Sequence, residues 1–179
     1  MIDLTTKTLP NTLRVAGRDY SIYTDFRVWI RFFNELHSGA LKDLSYLFKN
    51  ECPVYVRPEE LRVFAAPKNS LPRKTYGTDD GAVVIDYEID GDLIVAAFWQ
   101  QYGIDLTTVD MHWHIFLALL HGLTGTKLDT VMSYRAYRKD SRKNVDHYEE
   151  MKNAWRIDRI TPEEQVMLDD FNAAFQGDN

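Results

Sequence analysis

Apolar and polar positions alternate from Leu13 to Tyr23, with Leu13 and Val15 before Ala16-Gly17-Arg18-Asp19 and Tyr20 and Ile22 after it. The pattern predicts a small β-hairpin over residues 13–23 turning at that tetrapeptide. A two-stranded hairpin is marginal alone, so it must lie on an apolar surface. The next segment supplies one. Between Asp25 and His37 the residues Phe26, Val28, Trp29, Ile30, Phe32, Phe33 and Leu36 cover a wide arc at helical spacing, and Arg27, Arg31, Asn34 and Glu35 fill the remainder. Thr24 is placed to cap this helix. Gly39 ends it, after which Leu41, Leu44, Leu47 and Phe48 predict a shorter helix finishing before Pro53, and Pro58-Glu59-Glu60 opens another through Phe64. Residues 67–81 hold two prolines and two glycines with little periodicity, which predicts a linker or mobile loop.

Two later segments are apolar in almost every helical direction: Glu88 to Tyr102, closed by Gly103, and Met111 to His121, closed by Gly122. In the second, only a narrow strip remains for His114, Ala118 and His121. Helices that are apolar all round are buried, so this pair is expected at the centre, with Trp113, Phe116, Leu119 and Leu120 among the most enclosed side chains. Three helices follow. Thr126 to Arg135 is the first; Arg142 to Trp155, with Val145, Tyr148, Met151 and Trp155 on one stripe, is the second. The third, residues 162–175, opens with the capping box Thr161-Pro162-Glu163-Glu164 and carries the stripe Met167, Leu168, Phe171, Ala174 and Phe175. The expected fold is mainly α, a single helical domain of residues 1–179 with one N-terminal hairpin.

Composition narrows the classes without choosing a function. With 45% apolar and 27% charged residues the chain is neither disordered nor a disulfide scaffold. Its one cysteine, Cys52, has no partner for an internal disulfide, which suits a reducing compartment. No apolar run is long enough to cross a membrane, and the first 13 residues resemble neither a secretory nor a transit signal. The net charge of −6 is unevenly placed. Between Lys74 and Lys127 there is no Lys or Arg against eight Asp and Glu, whereas from Lys127 to Arg159 nine basic residues face six acidic ones. Arg135, Arg138, Lys139, Arg142 and Lys143 form the densest basic region. Mutual neutralisation of the two regions within the fold is the first explanation. Nucleic-acid binding through residues 135–143 is the alternative, opposed by the acidic neighbour.

Candidate chemistry is sparse. Asp86-Tyr87-Glu88-Ile89-Asp90-Gly91 matches the opening of an EF-hand loop, but position twelve, a bidentate Glu in that loop, is Ala97. Asp90 or Asp92 fits better as a charge at the positive end of the following helix. His112-Trp113-His114 with His121 invites a metal, yet on one helix His112 and His114 point about 200° apart, and His114 and His121 are ~10.5 Å apart along the axis, too far to share zinc. His112 reads as a core histidine satisfied by a hydrogen bond. No nucleophile elbow, phosphate loop or dinucleotide fingerprint is present, so neither catalytic residues nor cofactors are assigned and an enzyme is a third reading.

The strings Phe98-Trp99-Gln100-Gln101-Tyr102-Gly103-Ile104-Asp105-Leu106 and Met111-His112-Trp113-His114-Ile115-Phe116, then Leu119-Leu120 and Gly122-Leu123, resemble the siphophage tail-assembly chaperone family of Gram-positive phages and prophages. Tyr134-Arg135 and Tyr148-Glu149-Glu150-Met151-Lys152 fit the same pattern, so the resemblance covers about Asp86 to Trp155 well and the first 80 residues loosely. His114 departs from the bulky aromatic expected there. Members are encoded between the major tail protein and the tape-measure protein. The resemblance implies a non-enzymatic assembly factor, made in the host cytoplasm and absent from the mature virion, that binds the tape-measure protein and aids recruitment of tail-tube protein, with homo-oligomers or an upstream companion chaperone as further partners. Its candidate contact is the stripe Met167, Leu168, Phe171 and Phe175, for which docking on its own domain is the first explanation and the partner contact the second.

Overall fold

The computed structural model describes residues 4–66, 83–137 and 147–157. Strands β1 (Thr12–Val15) and β2 (Arg18–Ser21) form the hairpin, followed by helices α1 (Phe26–His37), α2 (Pro58–Ala65), α3 (Gly91–Tyr102), α4 (Trp113–His121), α5 (Lys127–Arg135) and α6 (His147–Ala154). Among the described residues the fold is therefore mainly helical with one small antiparallel hairpin, as the periodicity predicts. The expected loop at 67–81 and the helix at 162–175 lie outside these residues, as do 142–146 of the Arg142–Trp155 helix.

The hairpin turns more tightly than expected. Val15 pairs with Arg18, leaving only Ala16 and Gly17 in the turn, both at positive φ (47° and 85°), the geometry that matches the twist of two-residue hairpins. Arg18 and Asp19 belong to β2. The Ala16 N–H donates to the Glu60 carboxylate at 2.9 Å, which fastens the turn to α2. Leu13 and Val15 are buried on one face, so the hairpin does rest on apolar surface.

The cap of α1 is Asp25, one residue after the expected Thr24: its carboxylate accepts the Arg27 N–H. The Thr24 backbone is used otherwise, its carbonyl accepting the Trp113 N–H at 2.7 Å, while the Phe26 N–H donates to the Met111 carbonyl. The starts of α1 and α4 are thus laced together. Residues 41–48 are not a helix. A single 3₁₀ turn, Ser45–Leu47, is all that forms, because the Asp43 carboxylate takes the Ser45 N–H and the following backbone pairs with the hairpin. Tyr23 N–H donates to Leu47, Lys49 N–H donates to Ser21, and Phe48 bridges Ile22. A segment this short nucleates poorly as a helix, and extended pairing satisfies its backbone instead.

α4 is the hub of the core. Phe116 stacks between Phe26 of α1 (4.9 Å between centroids) and Phe98 of α3 (5.2 Å). Trp113 packs near Trp29 and Phe33, and its indole N–H donates to the Ala65 carbonyl at the end of α2. Trp113 and Phe116 are fully enclosed and Leu120 is buried, as expected, whereas Leu119 is only partly covered. The expectation that both apolar helices are buried all round fails at α3. That helix starts at Gly91 rather than Glu88 and packs through Ile94, Ala97 and Phe98, leaving Trp99 61% exposed. Gly103 closes it in the left-handed conformation (φ 65°) that favours glycine. α5 begins where the sequence places it, with the Thr126 hydroxyl accepting the Asp129 N–H, and α6 lies against it through Tyr134, Tyr137 and Tyr148.

Candidate functional site

His112, His114 and the acidic run at 86–90 acquire partners within the fold. α4 starts at Trp113, so His112 lies outside the helix as its N-cap, and the expected 200° divergence from His114 does not arise: the two rings sit 5.0 Å apart. His112 Nδ1 accepts the His114 N–H while Nε2 donates to the Pro10 carbonyl. His114 is not on a solvent strip; it is 6% exposed, and its Nε2 donates to the Phe64 carbonyl. Burial pushes both imidazoles below their usual pKa, His114 to about 4. Among the described residues no three His, Cys, Asp or Glu side chains converge as a metal site.

A lowered histidine pKa has a signed consequence. The unfolded chain takes up protons near pH 6.5 and the folded chain only near pH 4, so the stabilising effect is complete above pH 6.5 and is lost as pH falls towards 4. For His114 the full loss is about 3 kcal/mol. Thermal melts of the wild type and of His114→Gln, which keeps a donor but does not titrate, should diverge between pH 7 and pH 5 with the wild type losing more. Parallel curves would show that His114 is not held neutral.

The acidic run is structural. Asp86 accepts the N–H groups of Glu88 and Ile89, and Asp90 accepts that of Asp86. Asp90 does not serve the positive end of α3; its two oxygens receive the Arg135 guanidinium at 2.6 and 2.9 Å, both side chains being at most 4% exposed. Arg135 also donates to the carbonyls of Val84 and Trp155. This is the neutralisation of acidic by basic elements that the charge pattern suggested, and it withdraws Arg135 from any nucleic-acid surface. Arg138, Lys139, Arg142 and Lys143 lie outside the described residues.

Among the described residues, two concavities bear on function. The first, about 690 Å³ between the hairpin and α2, is polar at its rim. There the Arg57 guanidinium, with the N–H groups of Ala16 and Arg57, holds the Glu60 carboxyl down at about 2. A carboxylate held that low stays ionised at neutral pH, fixing the fold rather than donating protons. The second, about 450 Å³, is an apolar groove with Phe32, Phe33, Leu36 and Leu41 on one wall and Val56, Leu61, Ala65 and Ala66 on the other. Among the described residues Arg62 is the only charged one lining it, and Leu36 is 48% exposed. A groove of this character fits the apolar face of a helix.

The family model described as Bacteriophage Gp15 protein matches residues 44–157, well over half of the chain. The chain belongs to that family. The Bacteriophage Gp15 protein match takes in every element from the 3₁₀ turn to α6, the α2 wall of the groove and both strings on which the resemblance rests. The hairpin and α1 precede it. No curated protein and no solved structure matches the chain. It is thus a phage-associated, mainly helical protein.

The stripe Met167, Leu168, Phe171 and Phe175 falls outside the described residues. The groove was not foreseen, although a signal existed: the apolar arc of α1 is wider than one neighbouring helix covers, and its C-terminal members Phe33 and Leu36 are the ones left beside the groove.

Proposed function

We propose that this protein is a non-enzymatic tail-assembly chaperone that binds the tape-measure protein of its own phage and helps bring tail-tube protein to it. In this reading it acts in the host cytoplasm, takes no cofactor and is left out of the mature virion. Membership of a phage family supports the setting, and the apolar groove between α1 and α2 carries the binding role. A tape-measure protein is long and largely helical, and its apolar stretches need cover until the tube polymerises around them; an open apolar groove gives one amphipathic turn after another a place to rest. The C-terminal stripe is the second proposed contact.

Co-expression with the tape-measure protein tests this. The wild-type chain should keep that protein soluble and co-purify with it. Leu36→Asp, at a half-exposed position on the groove wall, should abolish co-purification while leaving the melting temperature within a few degrees of wild type. A wild-type chain that never solubilises the tape-measure protein ends the chaperone reading; a Leu36→Asp chain that still co-purifies removes the groove from it and leaves the stripe.

A further inference from the structure

The segment Phe98 to Gly103 has a structural task at nearly every position. Phe98 is fully buried, Gln101 bonds the Gly122 carbonyl and the Thr124 N–H, the Tyr102 hydroxyl donates to the Leu119 carbonyl, and Gly103 closes the helix. Trp99 stands apart. Of the four tryptophans, Trp29 and Trp113 are fully enclosed and Trp155 is half-buried, whereas Trp99 is 61% exposed and its indole makes no hydrogen bond or ring contact among the described residues. Ala96, Gln100 and Asp92 are exposed on the same face of α3. Asp92 lies seven residues earlier, two turns or ~10.5 Å along the axis. It has no ion-pair partner among the described residues.

An exposed indole on a rigid helix is the side chain that most often dominates a protein interface. What it meets is indicated by charge. No Lys or Arg occurs between Lys74 and Lys127, so the segment that forms α3 and both its flanks in sequence carries only acidic charge; Asp90 is consumed by the buried Arg135, whereas Asp92 stays exposed on this face. An anionic helix would be repelled from this face, and a neutral one would leave Asp92 without a partner. A cation gains twice, by stacking on the indole and by pairing with the carboxylate. We propose that the α3 face centred on Trp99 and Asp92 docks a cationic amphipathic helix of a second protein, one Lys or Arg of which stacks on Trp99 while another, seven residues away, pairs with Asp92. The groove between α1 and α2 is a separate surface, and the proposal does not depend on the tape-measure reading.

The full chain can be titrated with a dye-labelled amphipathic Leu/Lys peptide, and with its Leu/Glu counterpart, by fluorescence anisotropy. The Leu/Lys peptide should bind, shift tryptophan emission to the blue and protect Trp99 from iodide quenching; the Leu/Glu peptide should not. Trp99→Ala should weaken binding about 30-fold, the loss typical of a central interface tryptophan. Trp99→Phe should retain most of it. Asp92→Asn should weaken binding about 3-fold at low salt, with the difference fading as salt rises. Melts confirm that each variant is folded. Equal binding of both peptides, or wild-type affinity in Trp99→Ala, overturns the proposal. So does a concentration-dependent blue shift of the chain alone that Trp99→Ala removes, since the occupant would then be a second copy.

Discussion

Replacing Arg135 with alanine is expected to lower the stability of the fold by about 3–5 kcal/mol. The guanidinium sits at the C-terminal end of α5 and donates to four acceptors from three places: both oxygens of Asp90, the Val84 carbonyl and the Trp155 carbonyl. Removing it leaves the Asp90 carboxylate, 1% exposed, without its countercharge, and two carbonyls without a donor. The cost comes from the stranded carboxylate more than from the attraction lost, because a buried pair only roughly offsets its own desolvation. The double replacement Asp90→Leu with Arg135→Met is therefore expected to cost much less than Arg135→Ala alone. Urea midpoints of the three chains check this. A loss below ~1 kcal/mol for Arg135→Ala would mean that water reaches the pair.

Phe116→Ala is expected to cost about 3–5 kcal/mol for a different reason, the cavity it leaves. The ring lies between Phe26 and Phe98 at interplanar angles of 11° and 12°, with Trp113 5.7 Å away. Those neighbours belong to three different helices, so no single side chain can swing in to close the space. Phe116→Leu should recover much of the loss. Thermal and urea unfolding measure both, and a near-neutral Phe116→Ala would show that α4 is not the hub.

The sequence foretells α1, α2, α4 and α5 to within two residues, α1 from its apolar arc, α2 from Pro58-Glu59-Glu60 and α4 from a nearly continuous apolar run closed by Gly122. The errors arise where the backbone or a side chain is claimed by something distant in sequence. Leu47 and Phe48 have helical spacing, but the hairpin takes their backbone; His114 lies on the polar strip of α4, but the Phe64 carbonyl lies opposite it. Asp90 satisfies the rule for a helix N-terminus, yet an arginine 45 residues later outbids the dipole. Trp99 is the converse, an apolar residue in an apolar segment that no described element covers. For the site, the histidine chemistry is legible mainly as residue types, and the groove only as an apolar arc of α1 wider than one neighbour covers, since the gap between α1 and α2 depends on how the two helices sit in space and not on the periodicity of either.

The backbone lacing between Thr24–Phe26 and Met111–Trp113 also bears on how the chain is made. Phe26 and Trp29 cannot reach Phe116 and Trp113 until roughly 85 further residues have been synthesised, which at ribosomal speeds of ~5–20 residues per second is a wait of about 4–17 s. During that interval α1 can lie against α2 and the 3₁₀ turn, where Trp29 meets Phe64 and Tyr46 meets Arg31 and Glu35, but not against α4. Synthesis rate and folding are therefore coupled in this protein: the nascent N-terminal third is at its most exposed to aggregation just before α4 leaves the ribosome, and a pause ahead of that point would lengthen the exposure.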